Sequence, residues 1–288
     1  MPDLLQTVDG LVDRVANRLI WRFAAKPRDV VTDVPLVSFT FDDVPDTALH
    51  NGAAILERHG ARGTFYIAGG LADRVEVDRT LISAEGCADL ADRGHEVGCH
   101  TFSHSKIRRL GAAGLARDLD RNADYLKRSG VGSVATNFAF PYNAAWPLSR
   151  RELGRRYRTC RAAGESINRT TVDPLMLKAV EIRQPEADAR ALSGWIDDVV
   201  ARPGWLVFFT HDIAARPTPY GCTPETSNAS SNTRSGRDAW SCPSSGCSTG
   251  LAGRRAPCLA NETATTGCSP STTTSIAAAA PKRFSSTI

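Results

Sequence analysis

The stretch Leu36-Val37-Ser38-Phe39-Thr40-Phe41-Asp42-Asp43 decides how this chain is read. Its first six residues, rich in branched and aromatic side chains, form a β-like run that stops at two consecutive carboxylates. The same punctuation recurs downstream. Residues 47–59 are predicted as a helix, with Gly60 in the favoured position just past its end. Gly63-Thr64-Phe65-Tyr66-Ile67 is a strand, 83–93 a helix capped by Ser83 and stopped before Gly94, and His95-Glu96-Val97-Gly98-Cys99 a strand. A helix over 112–129 carries Leu115, Leu119, Ala123 and Leu126 on one face and ends at Gly130. A strand over 135–140 precedes Pro141, helices cover 148–156 and 187–201, and Trp205–Thr210 is a buried strand that delivers His211. Strands alternating with helices imply a parallel sheet or barrel of the α/β class, in which active sites gather at the carboxyl ends of the strands. Asp42-Asp43, His100, Pro141-Tyr142 and His211 each follow a predicted strand.

Outward from that core the chain changes character twice. Residues 1–34 form an N-terminal helix and connector. Leu4, Leu5, Val8, Leu11, Val12, Val15 and Leu19 recur at amphipathic spacing, and this apolar stripe is expected to pack on the body, with a membrane surface as the other option. Residues 35–225 are expected to form one domain that holds all of these strand ends. Residues 226–288 are dominated by Ser, Thr, Ala and Gly, and are expected to be a low-complexity, disordered tail. The six Lys/Arg and two acids of this tail account for the whole net charge of +4, so the body is neutral. A neutral body argues against a nucleic-acid partner. No apolar run approaches the ~18 residues of a membrane span, and Asp3, Asp9 and Asp13 interrupt any signal-peptide core, so a cytoplasmic location is expected. The eight cysteines show no C-x2-C spacing, which argues for free thiols and against a structural zinc site.

The chemistry rests on two clusters. His100-Thr101-Phe102-Ser103-His104 places two imidazoles at i, i+4, about one helical turn apart, where they can share a metal. Alone, that pair is equally compatible with a structural role, and Asp42-Asp43 alone with a helix cap. Together they offer two imidazoles, one carboxylate ligand and a spare carboxylate, a set suited to an open metal site beside a general base. His211 is a candidate general acid, because imidazole holds a proton near neutral pH.

At these residues the chain resembles the polysaccharide deacetylase family, the nodulation-protein-like carbohydrate esterases of family 4. Ser38–Asp43 is similar to the family's first motif, Gly98–His104 to its second, Phe138–Tyr142 to its third and Phe208–Asp212 to its last. The resemblance implies a distorted (β/α) barrel of about seven strands. It implies Asp43, His100 and His104 as ligands of a divalent metal (zinc or cobalt), Asp42 as general base, His211 as general acid, and the Tyr142 backbone amide as an oxyanion donor. It implies hydrolysis of acetyl groups on N-acetylated or O-acetylated carbohydrate, so the expected partner is an acetylated oligo- or polysaccharide.

Some positions depart from the pattern. Val44 stands where the family has glycine, Ala139 where it has the arginine that orients the base, and Asn143 where glycine is common. Asp173 is the nearest match to the aspartate that tunes the acid histidine. The collapse of periodicity after about 225 suggests an out-of-frame tail and hence a barrel incomplete at its C-terminal end. An inactive relative that binds sugar or metal is the alternative reading: Ala139 and the tail favour it, and retention of Asp42 and His211 opposes it.

Overall fold

The structure, a computed structural model, describes residues 4–23, 27–30, 32–183, 189–227 and 240–241. In chain order its regular elements are α1 (Leu4–Arg22), β1 (Arg28–Val30), β2 (Leu36–Asp42), α2 (Ala54–Arg58), β3 (Thr64–Ile67), α3 (Ala84–Asp92), β4 (Glu96–Cys99), α4 (Gly111–Arg128), β5 (Asn137–Ala139), α5 (Arg150–Arg156), β6 (Thr159–Arg161), β7 (Thr170–Val172), β8 (Val180–Glu181), α6 (Ala189–Ala201), β9 (Trp205–Thr210) and β10 (Trp240–Ser241). Seven parallel strands in the order β6-β5-β4-β3-β2-β9-β8 form a curled half-barrel with helices outside it. Just ahead of β8, Leu177 accepts from Ala162 N and donates to Cys160 O (2.9 and 2.8 Å), which bridges the curl back to β6. That seam needs nothing beyond residue 225.

The alternation along the strands sorts the two faces. Val37, Phe39 and Phe41 of β2 point outward with Phe65 and Ile67 of β3 and Leu206 and Phe208 of β9, into a core shared with Ile55, Leu56, Leu90, Ile196 and Val199 of the helices. The Phe41 and Phe65 rings stack at 4.5 Å. The interleaved residues face inward: those of β9, Trp205, Val207 and Phe209, form a small apolar cluster with Leu177 and Ala179, whereas those of β2 and its neighbours on the other side are largely polar. Trp205 Nε1 donates to Ser38 Oγ at 3.0 Å, Thr40 Oγ1 to the Phe208 carbonyl at 2.8 Å, and Thr64 Oγ1 to Glu96 Oε2 at 2.8 Å. Asn137 Nδ2 donates to Glu96 Oε1 at 2.5 Å, and Thr159 Oγ1 to Asn137 Oδ1. Buried polar groups are tolerated only when paired in this way. The column they form leads up to Asp42 at the carboxyl end of β2.

The caps fall where the sequence puts them. Ser83 Oγ accepts from Gly86 N at 3.2 Å, and Gly60, Gly94 and Gly130 take positive φ just after their helices. The 47–59 segment differs, opening as a π-helical turn, Ala48–Ala53, before α2. The antiparallel pair β1–β7 and the short strands β6 and β8 carry too few residues to show a period.

Helix α1 forms as expected but with the opposite face inward. Asp13, Ala16, Asn17 and Ile20 are buried, while Val8, Leu11, Val12, Val15 and Leu19 are exposed. Lys106 Nζ donates to both Asp9 and Asp13 at 2.5 Å, and Arg108 bonds both carboxylates as well. Asn17 donates to the Asn143 carbonyl at 2.7 Å and accepts from Ala145 N at 3.0 Å. The body meets this helix with cations and backbone groups beside an apolar patch that takes Ile20, so the side bearing Asp9, Asp13, Asn17 and Ile20 docks.

The expected disordered tail lies outside the described residues, apart from a helical turn beginning at 224–227 and β10, which pairs in parallel with Leu36 and Val37. Cys87, Cys99, Cys160 and Cys222 are free and buried. Among the described residues no helix is long and apolar enough to cross a membrane.

Candidate active site

Two consecutive residues at the end of β2 part company. Asp43 and Val44 both have positive φ (58° and 53°), and Val44 N donates to Asp42 O at 2.6 Å. This abrupt turn leaves Asp42 on the inner face of the sheet and swings Asp43 towards the histidines. A β-branched residue at positive φ is strained, which is why glycine suits the position that Val44 holds.

Asp43, His100 and His104 converge, each offering one ligand atom within 4.8 Å of the others. The two histidines are not on a helix, contrary to the helical-turn expectation. They flank an irregular loop in which Thr101 (φ 62°) and His104 (φ 49°) are left-handed. Asp118 of α4, itself buried, accepts from Phe102 N at 2.7 Å and Ser103 N at 3.3 Å and so fixes the loop. His100 Nδ1 lies 2.9 Å from the Ala139 carbonyl, to which it donates. The Nε2 lone pair is therefore left facing Asp43 Oδ1 at 3.6 Å. Burial, reinforced by the charges of His104 and Arg161 against those of Asp42 and Asp43, pushes His100 down to about 4, so the ring is neutral at ordinary pH. Burial would raise the Asp43 carboxyl, but the imidazole of His104, then His100 and His211, outweigh it and hold the group below the usual range.

Asp43 Oδ1 is buried and has no hydrogen-bond partner, although His104 Nε2 approaches to 3.0 Å. A buried carboxylate oxygen left without a hydrogen bond between two imidazoles is costly unless a cation completes it. The donor set fits an open three-ligand divalent metal site. Arg79, on the loop ahead of α3, reaches the other oxygen, Asp43 Oδ2, at 3.5 Å.

The missing arginine is supplied from the next strand. Ala139 on β5 pairs in register with Arg161 on β6. The Arg161 guanidinium grips both oxygens of Asp42, with Nη2 donating to Oδ1 at 2.5 Å. Both side chains are buried, and the guanidinium lies 4.6 Å from the Phe209 ring centroid and 5.5 Å from that of Tyr66. Gly98 makes room for that Tyr66, since a Cβ there would stand 2.5 Å from its ring. The expectation from Ala139, that the spare carboxylate lacks an orienting arginine, is thereby corrected.

His211 follows β9, the neighbour of β2, with Nδ1 3.2 Å from the Tyr220 carbonyl, and its charge acts on Asp43. Because a carbonyl only accepts, Nδ1–H is the donor there. Tyr142 occupies a tight turn after β5 with φ 58°, and its largely exposed ring lies 4.7 Å from that of His104. Asp173 is not brought to His211: it caps the 174–176 turn through Leu175 N at 3.0 Å and pairs with Arg150. The His211 charge also acts on Glu181 of β8, where burial raises the carboxyl while Arg183 and then His211 oppose. Sequence reading missed Arg161, Glu181, Arg79 and Asp118. The sequence's one hint at Arg161 was a lone cation among small residues, Cys160-Arg161-Ala162-Ala163.

Known proteins agree with this architecture. A family profile described as polysaccharide deacetylase matches residues 29–172. A chitin deacetylase of Arthroderma benhamiae is 28% identical over 108 residues, which cover 38% of this chain and only 28% of that relative's length. Among solved structures, a putative polysaccharide deacetylase from Mycobacterium smegmatis superposes with a TM-score of 0.56 at 14% identity, covering 78% of this chain and 94% of its own. A family 4 acetyl xylan esterase from Clostridium thermocellum, solved with a cobalt ion, gives 0.53 at 21% identity, covering 74% and 90%. At these identities the structural likeness establishes the fold.

Proposed function

Because the chain belongs to the polysaccharide deacetylase family, we propose that it is a metal-dependent hydrolase that removes acetyl groups from carbohydrate, with N-acetylglucosamine-type units favoured over O-acetylated sugars. The observation that carries this reading is the unpartnered Asp43 Oδ1 between His100 and His104, beside a second carboxylate held by Arg161. Asp43, His100 and His104 would hold the metal, zinc or cobalt. Bound there, a divalent ion supplies Lewis acidity, which lowers the pKa of water towards ~7 and polarises the acetyl carbonyl.

The chain's own groups do the rest. Asp42 takes a proton from the attacking water as its oxygen bonds to the acetyl carbon, and Arg161 fixes the direction in which Asp42 accepts it. The Tyr142 N–H donates to the oxyanion that develops on the former carbonyl. His211 hands a proton to the leaving nitrogen or oxygen as its bond to the acetyl carbon breaks. The products are acetate and a free amine or hydroxyl. The reading as an inactive relative rests on Ala139 and on the tail; Arg161 answers the first, and the tail lies outside the described residues apart from 226–227 and β10.

Elemental analysis of the purified protein, together with acetate release from chitooligosaccharide and from acetylated xylooligosaccharide, tests the proposal. One equivalent of metal with release from either substrate is expected. A folded, metal-loaded protein that releases acetate from neither overturns it.

A further inference from the structure

Helix α1 carries its hydrophobic stripe on the outside. Val8, Leu11, Val15 and Leu19 are 51%, 54%, 50% and 48% exposed, and Phe23, just past the helix, is 68% exposed. Both acids of the helix, Asp9 and Asp13, are turned inward onto Lys106 and Arg108. Its arginines, Arg14, Arg18 and Arg22, are exposed. The outward surface therefore combines branched aliphatics and a terminal aromatic with cations only, and the acids that would oppose an anion are sequestered.

We infer that α1 is an interfacial helix that docks the protein on an anionic lipid bilayer. Apolar side chains backed by arginines are what such a helix inserts between headgroups, and each cation near an anionic surface strengthens the binding. A second copy of the chain is the poorer occupant. One helical stripe offers on the order of 300–600 Å², short of the ~800 Å² per partner of a stable interface.

The location gives the docking a use. Inward contacts of α1 reach Lys106 and Arg108 after β4, Asn143 and Ala145 after β5, and Gly164 after β6, where Trp21 packs. These are the carboxyl ends of the strands, the end that carries Asp43, His100 and His104. A bilayer bound to α1 lies beside the mouth of the site.

Sedimentation of the full chain with vesicles of phosphatidylcholine alone, or containing phosphatidylserine, tests the inference. Binding to the phosphatidylserine vesicles is expected, weaker without that lipid and weakened by salt. Leu11→Gln with Val15→Gln should lower binding at least about tenfold. Arg14→Gln with Arg18→Gln should lower it by roughly thirtyfold and reduce the preference for phosphatidylserine. Both variants should keep the wild-type circular dichroism spectrum, because neither touches the inward contacts. A folded wild-type chain that stays in the supernatant overturns the inference. So does a dimer in sedimentation velocity that the Leu11/Val15 variant abolishes, since the stripe then belongs to a second copy. Acetate release from soluble chitooligosaccharide is measured in parallel. Release without vesicle binding rejects the docking alone, and vesicle binding without release rejects the deacetylase reading alone.

Discussion

The two halves of the proposed site, a metal half and a base half, are built differently. The metal half takes Asp43, His100 and His104 from turns just beyond β2 and β4, where the backbone is left-handed at Asp43, Thr101 and His104. The base half takes Asp42 and Arg161 from the ends of regular strands, 119 residues apart in sequence and brought together by the curl of the sheet. The first half depends on local loops held by a few hydrogen bonds. The second depends on the curl of the sheet, and its ion pair lies in the interior, where losing one partner is expensive. One half can therefore be damaged without unfolding the protein, whereas damage to the other should register in stability as well as in rate.

The largest effect should come from the metal half. His104→Ala, or chelation of the wild-type protein, should remove the metal and lower acetate release by more than about a thousandfold, since several kcal/mol of charge stabilisation disappear. The melting temperature of His104→Ala should stay near that of the chelated wild type. A variant that keeps a full equivalent of metal would show that the triad is not the ligand set. Asp42→Asn is the matched test of the other half. Turnover should fall by about 10²–10⁴-fold with the metal retained. Loss of metal in that variant would make Asp42 a ligand and erase the division drawn here.

Arg161 sharpens the comparison further. Arg161→Ala leaves a buried carboxylate unpaired and should cost about 3–5 kcal/mol of stability, with acetate release reduced by about 10–100-fold through loss of the aim of Asp42. The register pair suggests a repair. Ala139→Arg in the Arg161→Ala background returns a guanidinium from the adjacent strand, ~4.8 Å away. Recovery of both rate and melting temperature in the double variant would show that the cation matters and the strand supplying it does not. Recovery of stability alone would mean that Arg161 is a packing partner of Asp42 without a part in aiming it.

The same division explains what the sequence disclosed. The metal half was legible because its donors lie in contiguous strings, Asp42-Asp43 and His100–His104, each at the end of a run with a clear period. The base half was half legible. Asp42 stood next to Asp43, but Arg161 belongs to a three-residue strand with no measurable period, and its meaning comes only from the register with Ala139. Helix α1 fails in the same way. Spacing predicted the helix and its stripe, but which side meets the body is decided by Lys106 and Arg108, some ninety-odd residues away in sequence. Asp173 was misassigned because an aspartate before proline reads alike whether it tunes a histidine or caps a turn, and here Leu175 N and Arg150 claim it. Residues beyond 227 lie outside the described structure except for β10, so their expected disorder is not judged by it.

The smallest effect tests whether the metal half is as local as it looks. Asp118 lies on α4, outside the cluster of ligands, and touches neither histidine; its Oδ2 accepts the amides of Phe102 and Ser103 in the loop between them. An asparagine could still accept through its oxygen, but it gives up the charge that strengthens two hydrogen bonds to one atom. Asp118→Asn should therefore relax the loop and lower metal affinity by about tenfold, the low end of what outer groups contribute. The rate at saturating metal should change little, because Asp42 and Arg161 are held by strands that this loop does not support. A rate that stays low however much metal is added would mean that the loop also orients the base half, and the two halves would then be one mechanical unit.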